Sequence, residues 1–179
     1  MRTDPSSTLL AVIDIQERLA AVVPDCDRLT QRTVRLAKGA EILGVRRALT
    51  EQYPKGLGPT VPQLAACMPA AEEKIAFSAA GCGCLAGGLD VGIESVVLAG
   101  LETHICILQT ALDLLERGVR VFVAVDAVGS RFAVDHETGL RRLEQAGVVP
   151  VTTESVLFEW CRGADHARFR EIRSLVIEG

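Results

Sequence analysis

Three side chains that could carry covalent chemistry, Asp14, Lys74 and Cys106, each stand beside a short apolar run of the chain. Cys106 lies seven residues after Ser95-Val-Val-Leu-Ala99 and falls in the first turn of a helix if Thr103 is its N-cap. Free amides at a helix N-terminus favour an anion, so a thiol there is expected to have a lowered pKa and more thiolate. The same position also suits a small buried residue at a strand–helix junction. Asp14 directly follows Leu9-Leu-Ala-Val-Ile13. A carboxylate at a buried strand's end loses solvation and needs a cationic or proton-donating neighbour, unless it only caps or bonds a loop. Lys74 follows the acidic pair Glu72-Glu73 and opens a short apolar run; in isolation it reads as a solvated lysine paired with those neighbours. Brought together, the carboxylate can take the thiol proton while the ammonium favours the thiolate and orients the base.

The elements that must position these groups alternate strand and helix. Leu9–Ile13, Val45–Thr50, Lys74–Phe77, Ser95–Ala99, Val119–Val125 and Val148–Thr152 read as strands, because they are short apolar runs with β-branched members. Helices are expected over Arg28–Leu43, Val61–Met68, Leu85–Val91, Thr103–Arg117, His136–Gln145, Ser155–Cys161 and His166–Ile177, with Gly44 and Gly147 as stops. Glu51–Pro62, with its prolines and glycines, reads as a loop. The pattern predicts an α/β fold, a three-layer α-β-α sandwich around a mainly parallel sheet. Ligands on such sheets bind outside the strands' carboxyl ends, at Asp14, Glu51–Tyr53, Phe77–Ala80, Leu101–Cys106 and Asp126–Arg131.

The chain has 179 residues, a length that predicts a single domain over 1–179. Nineteen Lys plus Arg against 23 Asp plus Glu leave a net charge of -4 with no basic run, which speaks against a nucleic-acid partner. Apolar runs of five or six residues are too short to span a bilayer, so no membrane role is expected. No secretory signal stands before Asp14, so the expected compartment is cytoplasmic and the six cysteines are expected as thiols.

Four ordered motifs carry a resemblance. Ala-Val-Ile-Asp-Ile-Gln around Asp14, Lys-Ile-Ala-Phe-Ser from Lys74, Ala-Gly-Leu-Glu-Thr-His-Ile-Cys-Ile-Leu-Gln-Thr-Ala around Cys106, and Val-Asp-Ala-Val-Gly-Ser-Arg over 125–131 resemble the isochorismatase-like cysteine hydrolases. The chain is most similar to the isochorismatase-domain-containing branch, through Thr50-Glu-Gln-Tyr-Pro-Lys-Gly-Leu-Gly58 and His166-Ala-Arg-Phe-Arg-Glu-Ile. The resemblance implies a six-stranded parallel sheet, a homo-oligomer, and an Asp-Lys-Cys triad. Cys106 would be the nucleophile, Asp14 the base and then the acid, and Lys74 the electrostatic partner. It also implies a cis peptide between Leu101 and Glu102, with the backbone amides of Glu102 and Cys106 forming an oxyanion hole. A small amide, imide or nitrile-like substrate follows; by position Gln16, Gln52, Tyr53 and Phe77 either line its pocket or only pack loops. A non-catalytic member that keeps these residues and only binds a small molecule is the competing reading.

Nicotinamidases of this superfamily hold a metal through Asp-x-His and a further His; here that place reads Glu51-Gln52-Tyr53, and no His precedes Leu101. His104, His136 and His166 have no ligand spacing, so no metal and no organic cofactor are expected. His104, beside the nucleophile in sequence, is expected to support the site or an interface. Gly81-Cys-Gly-Cys-Leu-Ala86 matches a dinucleotide fingerprint only formally, because no clear strand leads into it. Cys82 and Cys84 are too close for an easy disulfide. Asp126 is expected to bond loop amides or Ser130, and Arg131 to pair with a carboxylate or a subunit contact.

Overall fold

A computed structural model describes residues 2–89 and 91–177; Asp90, inside the helix expected over 85–91, lies outside them. The strands are β1 (Thr8–Ile13), β2 (Arg46–Gln52), β3 (Glu72–Lys74), β4 (Ser95–Leu101), β5 (Arg120–Gly129) and β6 (Val149–Val151). They form one six-stranded sheet in the order β3-β2-β1-β4-β5-β6, with every neighbouring pair parallel. The helices are α1 (Glu17–Ala20), α2 (Cys26–Ile42), α3 (Pro54–Leu57), α4 (Pro62–Ala65), α5 (Gly83–Leu89), α6 (Leu108–Glu116), α7 (Ala133–Gln145), α8 (Thr153–Cys161) and α9 (Phe169–Ile177). None of the described helices is long and apolar enough to cross a membrane.

Strand alternation sorts the core into two layers. Leu10 and Val12 face one side with Leu36 of α2, Leu64 of α4, Leu157 and Trp160 of α8 and Ile172 of α9. Leu9, Ala11 and Ile13 face the other with Leu85 of α5, Ala111 and Leu114 of α6 and Leu143 of α7. Each fully buried Leu-sized side chain contributes about 1.5–3 kcal/mol relative to exposure. This is the expected α-β-α sandwich.

Several boundaries differ from the sequence expectation, each for a reason in the pairing. The third strand ends at Lys74 rather than beginning there, because Glu72, Glu73 and Lys74 pair with Thr50, Glu51 and Gln52. Ile75 and Phe77, expected in that strand, are exposed beyond it. The fifth strand runs on to Gly129, since a register shift between Leu98 and Gly100 lets Gly100 and Leu101 pair with Val128 and Gly129. The expected helix from Thr103 opens as a π-helical turn, Thr103–Ile107, before α6.

The chain runs outward from β1 through β2 to β3, then returns to lay β4 on the other side of β1. The carboxyl ends of β1 and β4 therefore border the topological switch point, where α/β sheets form their ligand crevice. The two strands approach closely at Gly100, whose φ is 135° and where a Cβ would collide with the Ile13 carbonyl. Gly100→Ala is expected to destabilise the fold by roughly 2–4 kcal/mol, read as a lowered urea midpoint with an unchanged slope.

Candidate active site

Asp14 is the first residue past β1 and adopts a left-handed conformation, φ 54°, which Asp tolerates better than most side chains. It is fully buried, so its carboxylate must be compensated from within the protein. Thr50, paired with Ile13 at the end of β2, donates its hydroxyl to Asp14 Oδ1 at 2.8 Å. Lys74, the last residue of β3, reaches under β2 and donates from Nζ to Asp14 Oδ2 at 2.6 Å. Both side chains of that ion pair are withdrawn from solvent, 3% and 0% exposed. The same ammonium donates to Gln52 Oε1 at 2.7 Å and to the Phe77 carbonyl at 2.9 Å, so its hydrogens are committed to fixed acceptors. The lysine is thus no solvated partner of Glu72; that carboxylate instead accepts from Gly83 N and Cys84 N, both at 2.8 Å, at the start of α5. Those are the amides a phosphate would need if 81–86 bound a dinucleotide, and a carboxylate already holds them.

Cys106 arrives from the other side of the switch point, on the π-helical turn that follows β4, and is 5% exposed. The Asp14 carboxylate and the Lys74 ammonium both act electrostatically on its thiol. The structure thus gathers Asp14, Lys74 and Cys106, which are far apart in sequence, around one point. Burial pushes the thiol up to about 12, the Asp14 charge adds to that, and Lys74 offsets only part of it. The lowered pKa expected from a helix N-terminus is therefore corrected: desolvation and a neighbouring carboxylate outweigh the turn's amides. Burial also raises Cys26, Cys67, Cys82 and Cys161, and Cys84 to about 12, where Glu72 adds to the effect. Cys82 and Cys84 are accordingly resting thiols without the electropositive setting of a redox pair.

The turn's amide bonding is distinctive. Ile107 N donates to Glu102 O at 3.2 Å across five residues, and Ile105 N donates to the same carbonyl at 3.0 Å. Thr103 N goes to Ser130 Oγ at 3.1 Å. Glu102, not Thr103, occupies the N-cap position, and the Leu101–Glu102 peptide is cis.

The four residues read as pocket lining fall into two kinds. Gln16 is buried and donates to the carbonyls of Gln52 and Gly58 at 3.1 and 2.7 Å, while its Oε1 accepts from Gln52 N at 2.8 Å. Gln52 supports Lys74 and donates from Nε2 to Ile75 O at 2.7 Å. Tyr53 and Phe77 are half exposed at the same end of the sheet, and the Tyr53 ring packs over Gly56 of α3. Tyr53 and Lys74 help line a surface cavity of about 300 Å³ with Ile75 and Glu73. Glu51 holds Thr60 N and Oγ1 at 2.6 and 2.7 Å. Asp126 does not reach Ser130; it accepts from Thr153 N and Oγ1, both at 2.8 Å, and from Arg32 at 2.7 Å, tying α8 to α2. Arg131 pairs with Glu102 through Nε at 2.8 Å. The sequence reading gives neither Thr50 nor Ser130 its place beside the site, although a hydroxyl at the end of the strand expected over Val45–Thr50 is a signal for Thr50.

A family profile described as isochorismatase domain matches residues 8–155. The chain is 43% identical over 179 residues to isochorismatase domain-containing protein 2 of Bos taurus, covering 99% of this chain and 86% of that protein. It is 41% identical over 176 residues to isochorismatase domain-containing protein 2A of Mus musculus, covering 97% and 84%. Among solved structures, one described as MAR1 ribonuclease from Caenorhabditis elegans is similar at TM-score 0.93 and 37% identity, over 99% of this chain and 93% of that one. YcaC of Pseudomonas aeruginosa, solved with hexane-2,5-diol and covalent acrylamide, follows at 0.88 and 25%, over 99% and 92%. The YcaC gene product of Escherichia coli, described as an octameric hydrolase of unknown specificity, gives 0.88 and 26%, over 99% and 91%. With a matched domain across most of its length and relatives above 40% identity over nearly all of this chain, it belongs to the isochorismatase family of hydrolases.

Proposed function

We propose that the protein is a cysteine-dependent hydrolase of a small amide, imide or other C–N bonded substrate, working through a thioester-type intermediate. One observation carries this reading: a buried Asp14–Lys74 ion pair whose two charges both bear on the Cys106 thiol. In this scheme the Cys106 proton passes to Asp14 as Sγ attacks the carbonyl carbon. The tetrahedral oxyanion is held by the backbone amides of Glu102 and Cys106, which remain candidates once Thr103 and Ile105 have donated elsewhere. Collapse breaks the C–N bond, and Asp14 returns the proton to the leaving nitrogen. Water then attacks the thioester, giving its proton to Asp14, and the carboxylic acid leaves as the thiol is restored. Because the resting thiol stays protonated, the nucleophile forms only in concert with attack, which protects it from stray electrophiles in the free enzyme. Lys74 pairs with Asp14 and fixes its orientation for each transfer.

Acrylamide is an electrophile that nucleophiles add to at its vinyl carbon, so the covalent acrylamide in the Pseudomonas aeruginosa relative supports a nucleophilic group in that protein. In this reading one hydrolase domain spans 1–179 of a cytoplasmic homo-oligomer, an assembly supported by the octameric relative from Escherichia coli. Tyr53 and Phe77 line the pocket, with Gln16 and Gln52 holding its floor. The substrate is a small molecule rather than RNA in this reading, because the chain carries a net charge of -4 and no basic run.

The test is ammonia release from a panel of small amides and imides, run beside RNA cleavage. Amide turnover is expected in the wild type and a loss of several orders of magnitude in Cys106→Ser, with unchanged thermal midpoint. RNA cleavage that survives Cys106→Ser, with no amide hydrolysed, would overturn the proposal.

A further inference from the structure

A buried carboxylate with one unpaired oxygen stands at the start of the π-helical turn, and the hydrolytic scheme makes no use of it. Glu102 is 4% exposed. Its Oε1 accepts from Arg131 Nε at 2.8 Å, whereas Oε2 is buried without a hydrogen-bond partner among the described residues. His104 Nδ1 lies 3.4 Å from Oε2. That nitrogen lies 3.1 Å from Ser130 Oγ, the atom that receives Thr103 N. His104 Nε2 faces Asp135 at 3.9 Å, and Thr103 Oγ1 meets His136 Nδ1 at 2.9 Å. At Gly139 of α7 a Cβ would stand 3.1 Å from the His104 backbone, so helix and turn are in close contact there. The end of β5 and the first turns of α7 therefore grip the Cys106 turn through a chain of polar contacts centred on Glu102.

A carboxylate is expensive to bury with an oxygen unpaired, and an apolar residue would fill the same space at less cost to stability. Its charge also suits the N-cap of a helical turn, where the amide dipoles are positive. Glu102 cannot readily meet a substrate: one oxygen is tied to Arg131, and the other points into protein. We propose that Glu102 is a positioning residue, which with Arg131 and His104 holds the turn so that Cys106 stays between Asp14 and Lys74. The proposal rests on Cys106 being the reacting thiol. Arg131 acts through Glu102, its guanidinium lying 5.8 Å over the Phe132 ring and half exposed at the rim.

The pH profile of Cys106 alkylation by iodoacetamide, resolved by peptide mass spectrometry, tests this with the full chain. In Glu102→Ala the turn should loosen and the thiol leave the buried Asp14 field. Its alkylation at pH 8 should then rise at least about tenfold, equivalent to one pKa unit. Glu102→Gln keeps an acceptor for Arg131 and offers His104 a donor, so it should stay within about threefold of wild type. Buried Cys26 and Cys161 should react as in wild type in both variants. If all three buried thiols speed up together in a variant, Glu102 is only structural and the proposal falls. It also falls if Cys106 in folded Glu102→Ala keeps the wild-type profile, or if Arg131→Met does. The parent reading fails separately, through amide turnover that persists in Cys106→Ser.

Discussion

Asp14→Asn is expected to make Cys106 easier to alkylate and the protein unable to turn over. The two effects have opposite signs because Asp14 acts on the thiol in two ways. As a charge, it raises the Cys106 pKa on top of the larger effect of burial, while Lys74 opposes it. Removing the charge and keeping the lysine lets the thiolate form at lower pH, so alkylation by iodoacetamide should begin well below the wild-type range, near 12. It should still lie above the ordinary ~8.5 of a free thiol, since desolvation remains. As a proton carrier, Asp14 has no replacement: Asn cannot receive the thiol proton or return it to the leaving nitrogen. Amide turnover should drop by roughly 10²–10⁴-fold, the scale of a lost general acid–base. A more reactive thiol in a less active protein would separate base catalysis from simple thiolate stabilisation. Alkylation that slows in Asp14→Asn would show that the carboxylate activates the resting thiol, contrary to the electrostatics described above.

Lys74→Met should be the most damaging single change to the fold among the site residues. It leaves the Asp14 carboxylate buried with the Thr50 hydroxyl and without a counter-charge. Breaking a buried pair from one side costs about 3–5 kcal/mol. For a chain of this size that is roughly 6–20 °C in thermal midpoint. Differential scanning calorimetry at pH 7 measures it. A midpoint within about 2 °C of wild type at pH 7 would mean that water reaches Asp14 and replaces the lysine.

Much of this arrangement was legible in the chain. Leu9–Ile13 announces a parallel strand buried on both faces, and an Asp directly after it can only sit at the sheet's carboxyl edge. Ser95–Ala99 followed by Thr103–Arg117 places Cys106 at a strand–helix junction, which is where it is. What could not be read was the sign of its pKa shift. Sequence spacing locates a thiol near helix amides, but only packing shows that it is 5% exposed and beside Asp14. Lys74 was legible as a residue and misplaced in its strand, because Glu72-Glu73 look too polar to pair yet lie on a short outer strand where one face meets solvent. The Glu102–Arg131 pair was half seen: Arg131 was expected to meet a carboxylate, but nothing in the chain says which. Asp126 reached Thr153 rather than Ser130 because β5 continues past it, carrying it to the α2 face.

β3 is the outermost strand beside β2 and contributes only Glu72, Glu73 and Lys74 to the ladder. Such a short terminal strand has little pairing to keep it in place, and a bared neighbouring strand is a template for another molecule. The Lys74 ammonium, by crossing beneath β2 to bond Asp14, rivets that strand to the interior of the sheet. Lys74 is therefore a guard against intermolecular strand addition, and its loss should bring self-association along with lowered stability.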